Sequence, residues 1–159
     1  MVLERGGSQA DAGDGDEVRF APLRLDNQLC FALYAATHAI TRAYRPLLNR
    51  LGLTYSQYLV LLVLWENDGQ TVSGLGEKLR LDSGTLTPLL KRLEGAGLVA
   101  RKRRPEDERE VEVRLTPRAV ELRRSAVDVR EEIVRRLRMT EPEIAAMRAD
   151  LNGLLHVLG

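Results

Sequence analysis

Between Val72 and Thr116 the apolar residues change period from that of a helix to that of a strand, and no other stretch constrains the fold so tightly. A brief helical pattern, about Ser73 to Arg80, leads into Leu81-Asp82-Ser83, a tight turn, and a second helical pattern reaches Glu94. Gly95 and Gly97 then end it, since glycine takes the left-handed conformation that closes a helix. Two helices joined by so short a turn form a helix–turn–helix. Beyond Gly97 the period becomes two. Leu98 and Ala100, then Val111, Val113 and Leu115, alternate with charged residues on either side of Arg104-Pro105-Glu106-Asp107-Glu108, which reads as a charged β-hairpin. Pro88 removes a backbone bond to Gly84 if the second helix already runs from Ser83, so that helix either starts late or bends there. The order helix, turn, helix, hairpin predicts a winged helix–turn–helix.

The flanking segments are helical. Leu29, Leu33, Ala36, Ile40, Tyr44 and Leu47 recur at helical spacing, with Asp26 as the N-cap candidate and Pro46 expected to kink or end the helix. Thr54 and Gln57 form a capping box opening a helix through Tyr58, Leu61, Leu62 and Trp65 that stops near Asn67-Asp68-Gly69. Thr116-Pro117 starts another, striped by Ala119, Leu122, Ala126, Val129, Ile133 and Leu137. Thr140 and Glu143 cap a last one bearing Ile144, Met147, Leu151 and Leu154.

The expected class is therefore mainly α with a small β-hairpin. Residues 1–20 are read as a flexible tail, 21–53 as N-terminal dimerisation and sensor helices, 54–116 as the winged helix–turn–helix domain, and 117–159 as C-terminal dimerisation helices. The apolar stripes outside the reading unit need a cover. A second copy would supply it and set two reading units about one DNA turn, ~34 Å, apart on a pseudo-palindrome. The alternative is that they cover their own domain in a monomer.

Net charge is only +1, but its distribution is uneven. Lys78 to Arg124 holds 13 basic and 8 acidic residues, whereas Met1 to Asp26 holds 3 basic and 6 acidic. A local basic face is what a DNA binder requires. The longest apolar run, Tyr58 to Trp65, is far short of the roughly 20 residues that span a bilayer, and the N-terminus lacks a secretory signal, so a cytoplasmic location is expected. One cysteine and two separated histidines exclude an internal disulfide and a zinc cluster, and no cofactor is expected.

On the second helix of the reading unit the candidates for DNA contact are Ser83, Thr85, Thr87, Lys91 and Arg92. Hydroxyls near a helix start suit phosphates and base edges, while basic residues farther along suit phosphates or guanine. The hairpin adds Arg101, Lys102, Arg103 and Arg104 at its base and Arg109 at its tip, where an arginine can enter a minor groove. Asp107 is placed to hold that guanidinium. Read singly, each is also compatible with an ordinary solvated face.

Cys30 is the other centre. A lone cysteine on an apolar stripe is commonly a small core residue. Against that, it falls near the start of a helix, where the dipole favours a thiolate, the form that reacts with peroxides, although Asp26 opposes this. Tyrosine hydroxyls could donate to such a thiolate. Tyr44, however, is 14 residues on, roughly 21 Å along a straight helix, and would reach Cys30 only from another chain or after a sharp bend.

The blocks Leu25-Asp26-Asn27-Gln28-Leu29-Cys30-Phe31-Ala32-Leu33-Tyr34, Tyr44-Arg45-Pro46-Leu47-Leu48, Thr54-Tyr55-Ser56-Gln57-Tyr58, Leu81-Asp82-Ser83-Gly84-Thr85-Leu86-Thr87-Pro88-Leu89-Leu90-Lys91-Arg92 and Asp107-Glu108-Arg109 resemble the MarR family. Within it they resemble the organic-hydroperoxide-sensing OhrR repressors of the one-cysteine type. The resemblance implies that Cys30 is the sensing thiol and that Tyr44 and Tyr55 hydrogen-bond it from the partner subunit. It implies a homodimeric, non-enzymatic repressor of a pseudo-palindromic operator, released by organic hydroperoxide. Leu29, Phe31, Leu33 and Tyr34 would line the sensor pocket and favour alkyl or lipid hydroperoxides. A sulfenic acid on Cys30 would then be capped by a small thiol, cyclise or oxidise further. Three other readings stand beside this one: release by a small aromatic ligand, turnover as a thiol peroxidase, and a winged helix used only for protein contacts.

Overall fold

In the computed structural model, residues 18–105 and 110–159 are described. The chain divides into two compact units, Met1–Thr41 and Arg42–Gly159. Of the expected tail, only Val18–Phe20 falls among the described residues, and these are helical. Two 3-10 turns follow, Ala21–Leu23 and Leu25–Asn27, and then helix α1, Leu29–Arg50. Asp26 is therefore not the cap of α1, because it lies inside the second turn. The Asn27 amide donates to the Ala21 carbonyl at 2.7 Å and the Gln28 amide donates to Pro22 and Arg24 carbonyls, which holds the turns closed up to Gln28. The first bond of α1 runs from Ala32 N–H to the Gln28 carbonyl.

Pro46 neither ends α1 nor marks its boundary; the helix continues to Arg50. The lost backbone bond is offset by the burial of the next two residues, Leu47 and Leu48, in the core of the second unit. Helix α2, Tyr55–Glu66, opens on the expected capping box, with Thr54 N–H donating to the Gln57 side chain at 2.8 Å and Gln57 N–H donating back to the Thr54 hydroxyl at 3.3 Å. Tyr58, Val60, Leu61, Leu64 and Trp65 of α2 are buried, as befits a helix apolar on several sides.

Strand β1, Gln70–Thr71, leads directly into α3, Val72–Leu79, and α4 follows at Ser83–Gly95. The turn between them closes because Leu81 N–H reaches the Gly76 carbonyl at 2.9 Å with Arg80 in the left-handed region at φ 53°. Gly76 permits this approach: a Cβ there would lie 2.9 Å from the Leu81 carbonyl oxygen. Helix α4 runs unbroken from Ser83 through Pro88, so it does not start late. Leu86, Leu89, Leu90 and Leu93 bury its inner face on both sides of the proline.

The hairpin consists of β2, Val99–Arg103, and β3, Val111–Leu115, in antiparallel register with Val99 opposite Leu115 and Arg101 opposite Val113. β1 pairs with the far side of β3, so the sheet has three strands in the order β1-β3-β2 where a two-stranded hairpin was expected. The inward residues of β2 are Val99 and Arg101; Ala100 is exposed, and Leu98 is buried just before the strand. Helix α5, Pro117–Leu137, is capped by the Thr116 hydroxyl, which accepts from Ala119 N–H and donates to the Gly97 carbonyl at 2.8 Å. Its stripe buries Ala119, Ala126, Val129 and Ile133, while Leu137 is exposed. Helix α6, Glu141–Leu158, has the expected Thr140–Glu143 capping box and buries none of its residues. No single helix among the described residues is long and apolar enough to cross a membrane.

Candidate DNA-reading face and thiol site

Burial of four leucines on one side of α4 leaves Ser83, Thr87, Lys91 and Arg92 exposed on the others. Thr85 is exposed too, but it is engaged locally. Its N–H and hydroxyl both donate to the Asp82 carboxylate at 2.9 Å, capping the helix. These two bonds hold the Asp82 carboxyl below the usual carboxylate range.

The basic residues of the wing are not equivalent. Arg101 faces inward and is half-buried, with its guanidinium forked onto Glu94 of α4 at 2.9 and 2.6 Å. That pairing keeps the Glu94 carboxyl below its ordinary range. Arg104 donates to Glu110 at 3.0 Å and lies 3.9 Å from Glu112. Lys102 and Arg103 are exposed. Asp107 and Arg109, expected at the tip, lie outside the described residues.

In the first unit, Cys30 is a free thiol, exposed, at the second position of α1. Leu25, Leu29 and Tyr34 around it are more than half exposed and Phe31 is 36% exposed, while Leu33 is half-buried. Phe31 and Tyr34 stack at 6.5 Å, and Tyr34 meets His38 edge-on at 4.3 Å. In the second unit, Tyr44 and Tyr55 are brought together with ring centroids 5.1 Å apart. Tyr58, buried on α2, completes the cluster 5.7 Å from Tyr44. Its three-residue spacing from Tyr55 on one helix was the available signal. Burial, then Tyr58 and Tyr55, push the Tyr44 hydroxyl up to about 12, against the opposing charge of Arg130. Arg130, also missed, is held by Glu141 at 2.8 Å.

A helix–turn–helix whose second helix exposes hydroxyls and basic groups, followed by a basic hairpin, defines the winged-helix class of DNA-binding proteins. The sequence matches the MarR family over residues 53–111. It is 46% identical over 142 residues to the organic hydroperoxide resistance transcriptional regulator of Bacillus subtilis strain 168, spanning 89% of this chain and 97% of that one. Among solved structures it resembles reduced AbfR bound to DNA, with a TM-score of 0.75 and 35% identity over 90% of this chain and 99% of the other. The likeness to disulfide-formed AbfR is lower, at a TM-score of 0.63 with 34% identity over 88% and 98% of the chains. AbfR is a protein of Staphylococcus epidermidis. This chain belongs to the MarR family.

Proposed function

We propose that this chain is a homodimeric transcriptional repressor that senses organic hydroperoxides by oxidation of Cys30 and then releases its operator. The observation that carries the reading is the sole cysteine, exposed at the start of α1 among exposed apolar side chains. A thiol so placed meets a peroxide without unfolding, and Leu29, Phe31, Leu33 and Tyr34 offer an apolar approach for its alkyl group. The similarity to the Bacillus subtilis hydroperoxide resistance regulator supports the same chemistry.

The Cys30 thiolate attacks the distal peroxide oxygen, the O–O bond breaks, and the alkoxide leaves as alcohol after taking a proton. Sulfur is oxidised to the sulfenic acid and the peroxide is reduced. A small thiol then condenses with the sulfenic acid, giving a mixed disulfide and water. In the dimer Tyr44 and Tyr55 of the partner subunit donate to the reduced thiol, and the new group on sulfur displaces them. Residues 21–53 and 117–159 form the dimerisation region; the exposed Leu29 and Tyr34 of α1 and Met147, Leu151 and Leu155 of α6 are the surfaces a second copy covers. Moving those elements shifts two reading units off their one-turn spacing.

Within each reading unit, Ser83, Thr87, Lys91 and Arg92 contact the major groove and its phosphates. Lys102 and Arg103, with Asp107 and Arg109 farther along the sequence, serve the wing. A regulator of this kind works where the chromosome is, in the cytoplasm, and Cys30 is spent as a signal and not turned over as in an enzyme. A gel shift on a duplex selected by the reduced protein tests the reading. Cumene hydroperoxide should release the wild type and leave Cys30→Ser bound. Release of Cys30→Ser by the oxidant would show that the thiol is not the sensor.

A further inference from the structure

Four consecutive basic residues, Arg101 to Arg104, enter the hairpin, and strand register separates their roles. Arg101 lies opposite Val113 and two residues from Val99, so its side chain shares the inner face of the sheet with two of the most buried residues in the domain. From there the guanidinium forks onto Glu94 in the last turn of α4. The other carboxylate oxygen of Glu94 accepts the Arg101 backbone N–H at 3.2 Å. One carboxylate thus fixes both the side chain and the backbone of the third residue of β2.

Beside the pair, a cavity of about 300 Å³ opens between the helices and the hairpin, lined by Ser73, Thr87, Leu90, Arg101 and Val111, so the seam there is incompletely packed. Leu98, Val99 and Val113 pin the base of the hairpin, and on the rung of Val113 the ion pair ties β2 to the end of α4. Arginine suits the task because its planar fork fixes an angle as well as a distance.

We infer that Glu94 is a positioning residue for DNA reading: by clamping Arg101 it sets the wing relative to α4, and so the register between major-groove and minor-groove contacts. This rests on the regulator reading above. It also reassigns Arg101, which serves the clamp and not a phosphate. The sign of the effect separates the two roles. Removing an acidic residue near a phosphate backbone ordinarily strengthens DNA binding, whereas removing the clamp weakens specific binding alone.

The experiment uses the full-length reduced protein, a duplex selected by the wild type from a random pool, and poly(dI-dC) as non-specific competitor, read by anisotropy and hydroxyl-radical footprinting. Glu94→Ala should lose about tenfold on the selected duplex while holding or gaining on poly(dI-dC), and protection should vanish at the outer, wing-contacted positions only. Arg101→Lys, which keeps the charge and loses the fork, should show the same loss. The double variant should be no worse than either single one, and exchanging the pair, Glu94→Arg with Arg101→Glu, should recover part of the affinity. Unchanged or tighter specific binding by Glu94→Ala, with full binding by Arg101→Lys and a salt-sensitive loss confined to Arg101→Ala, would overturn the clamp and return Arg101 to the phosphates. A wild type that selects no duplex would sink the regulator reading and the clamp together.

Discussion

The indole N–H of Trp65 donates to the backbone carbonyl of Ala119 at 2.9 Å, a buried bond joining the end of α2 to the start of α5 across 54 residues of sequence. Tyr58 packs edge-on against the same ring at 6.3 Å, so the tyrosine cluster and the first turn of α5 meet at one side chain. Trp65→Phe keeps most of the packing and loses the indole bond, while the Ala119 carbonyl keeps its helical partner four residues on. It should cost about 0.5–1.5 kcal/mol, the net worth of one hydrogen bond, seen as a lower urea midpoint with unchanged slope. A neutral substitution would mean that the indole bond adds nothing to the junction of α2 and α5.

Gly76 and Gly95 offer a paired test of the turn between the two reading helices. Alanine at 76 places its Cβ 2.9 Å from a backbone oxygen that cannot move without opening the turn, and should destabilise by about 1–3 kcal/mol. Alanine at 95, where a Cβ meets nothing within 4 Å, should stabilise by about 0.4–1 kcal/mol by restricting the unfolded chain. Thermal melts of the two variants should therefore move in opposite directions. Two shifts of the same sign would refute the close-approach account.

The cap of α4 makes a pH prediction. Asp82 is held below its unfolded value by the Thr85 N–H and hydroxyl, so its contribution is present above the unfolded carboxylate range and is lost as pH falls through the folded value. Asparagine also caps well but does not titrate. Asp82→Asn should match the wild type near neutrality and lose less stability on acidification, as read by circular dichroism from pH 6 downward. Parallel acid curves for the two proteins would remove Asp82 from the account.

Where structure is set within a few residues, the sequence showed it: both capping boxes and the Thr116-Pro117 start stand as expected, because each is complete inside one turn of helix. What depends on distant partners was not legible. β1 is two residues long and exists only through pairing with β3, so no periodicity could reveal it. The prolines at 46 and 88 read as breaks, yet burial of neighbouring leucines outweighs one lost bond in each helix. The start of α1 was misplaced because Asp26 is a good cap by type, while Asn27 and Gln28 bond carbonyls upstream and extend the turn past it. Of the site, Ser83, Thr85, Thr87, Lys91 and Arg92 follow from the helix that carries them and are exposed on α4, whereas Tyr44 and Tyr55 enter only through the family resemblance and their contact with each other was not legible. Nor was the inward direction of Arg101, since charge alone does not say which of four basic residues a strand turns toward its helix.

Tyr44 carries the last prediction. Its hydroxyl is raised from 10 to about 12 by burial and by two neighbouring tyrosines, so the folded state holds a proton that the unfolded chain releases. The stabilisation is whole below pH 10 and is lost as pH rises toward 12. Tyr44→Phe abolishes that titration, and its stability curve should be flatter than that of the wild type across this window. Absorbance at 295 nm should show one late-ionising tyrosine disappear in the variant. Under the regulator reading the same hydroxyl serves the partner's thiol, not the DNA. Reduced Tyr44→Phe should therefore bind a selected duplex within about twofold of the wild type, the scatter expected of a change remote from the contacts, and respond more slowly to cumene hydroperoxide. Weakened DNA binding with an unchanged peroxide response would place Tyr44 in the scaffold of the domain and not in the sensor.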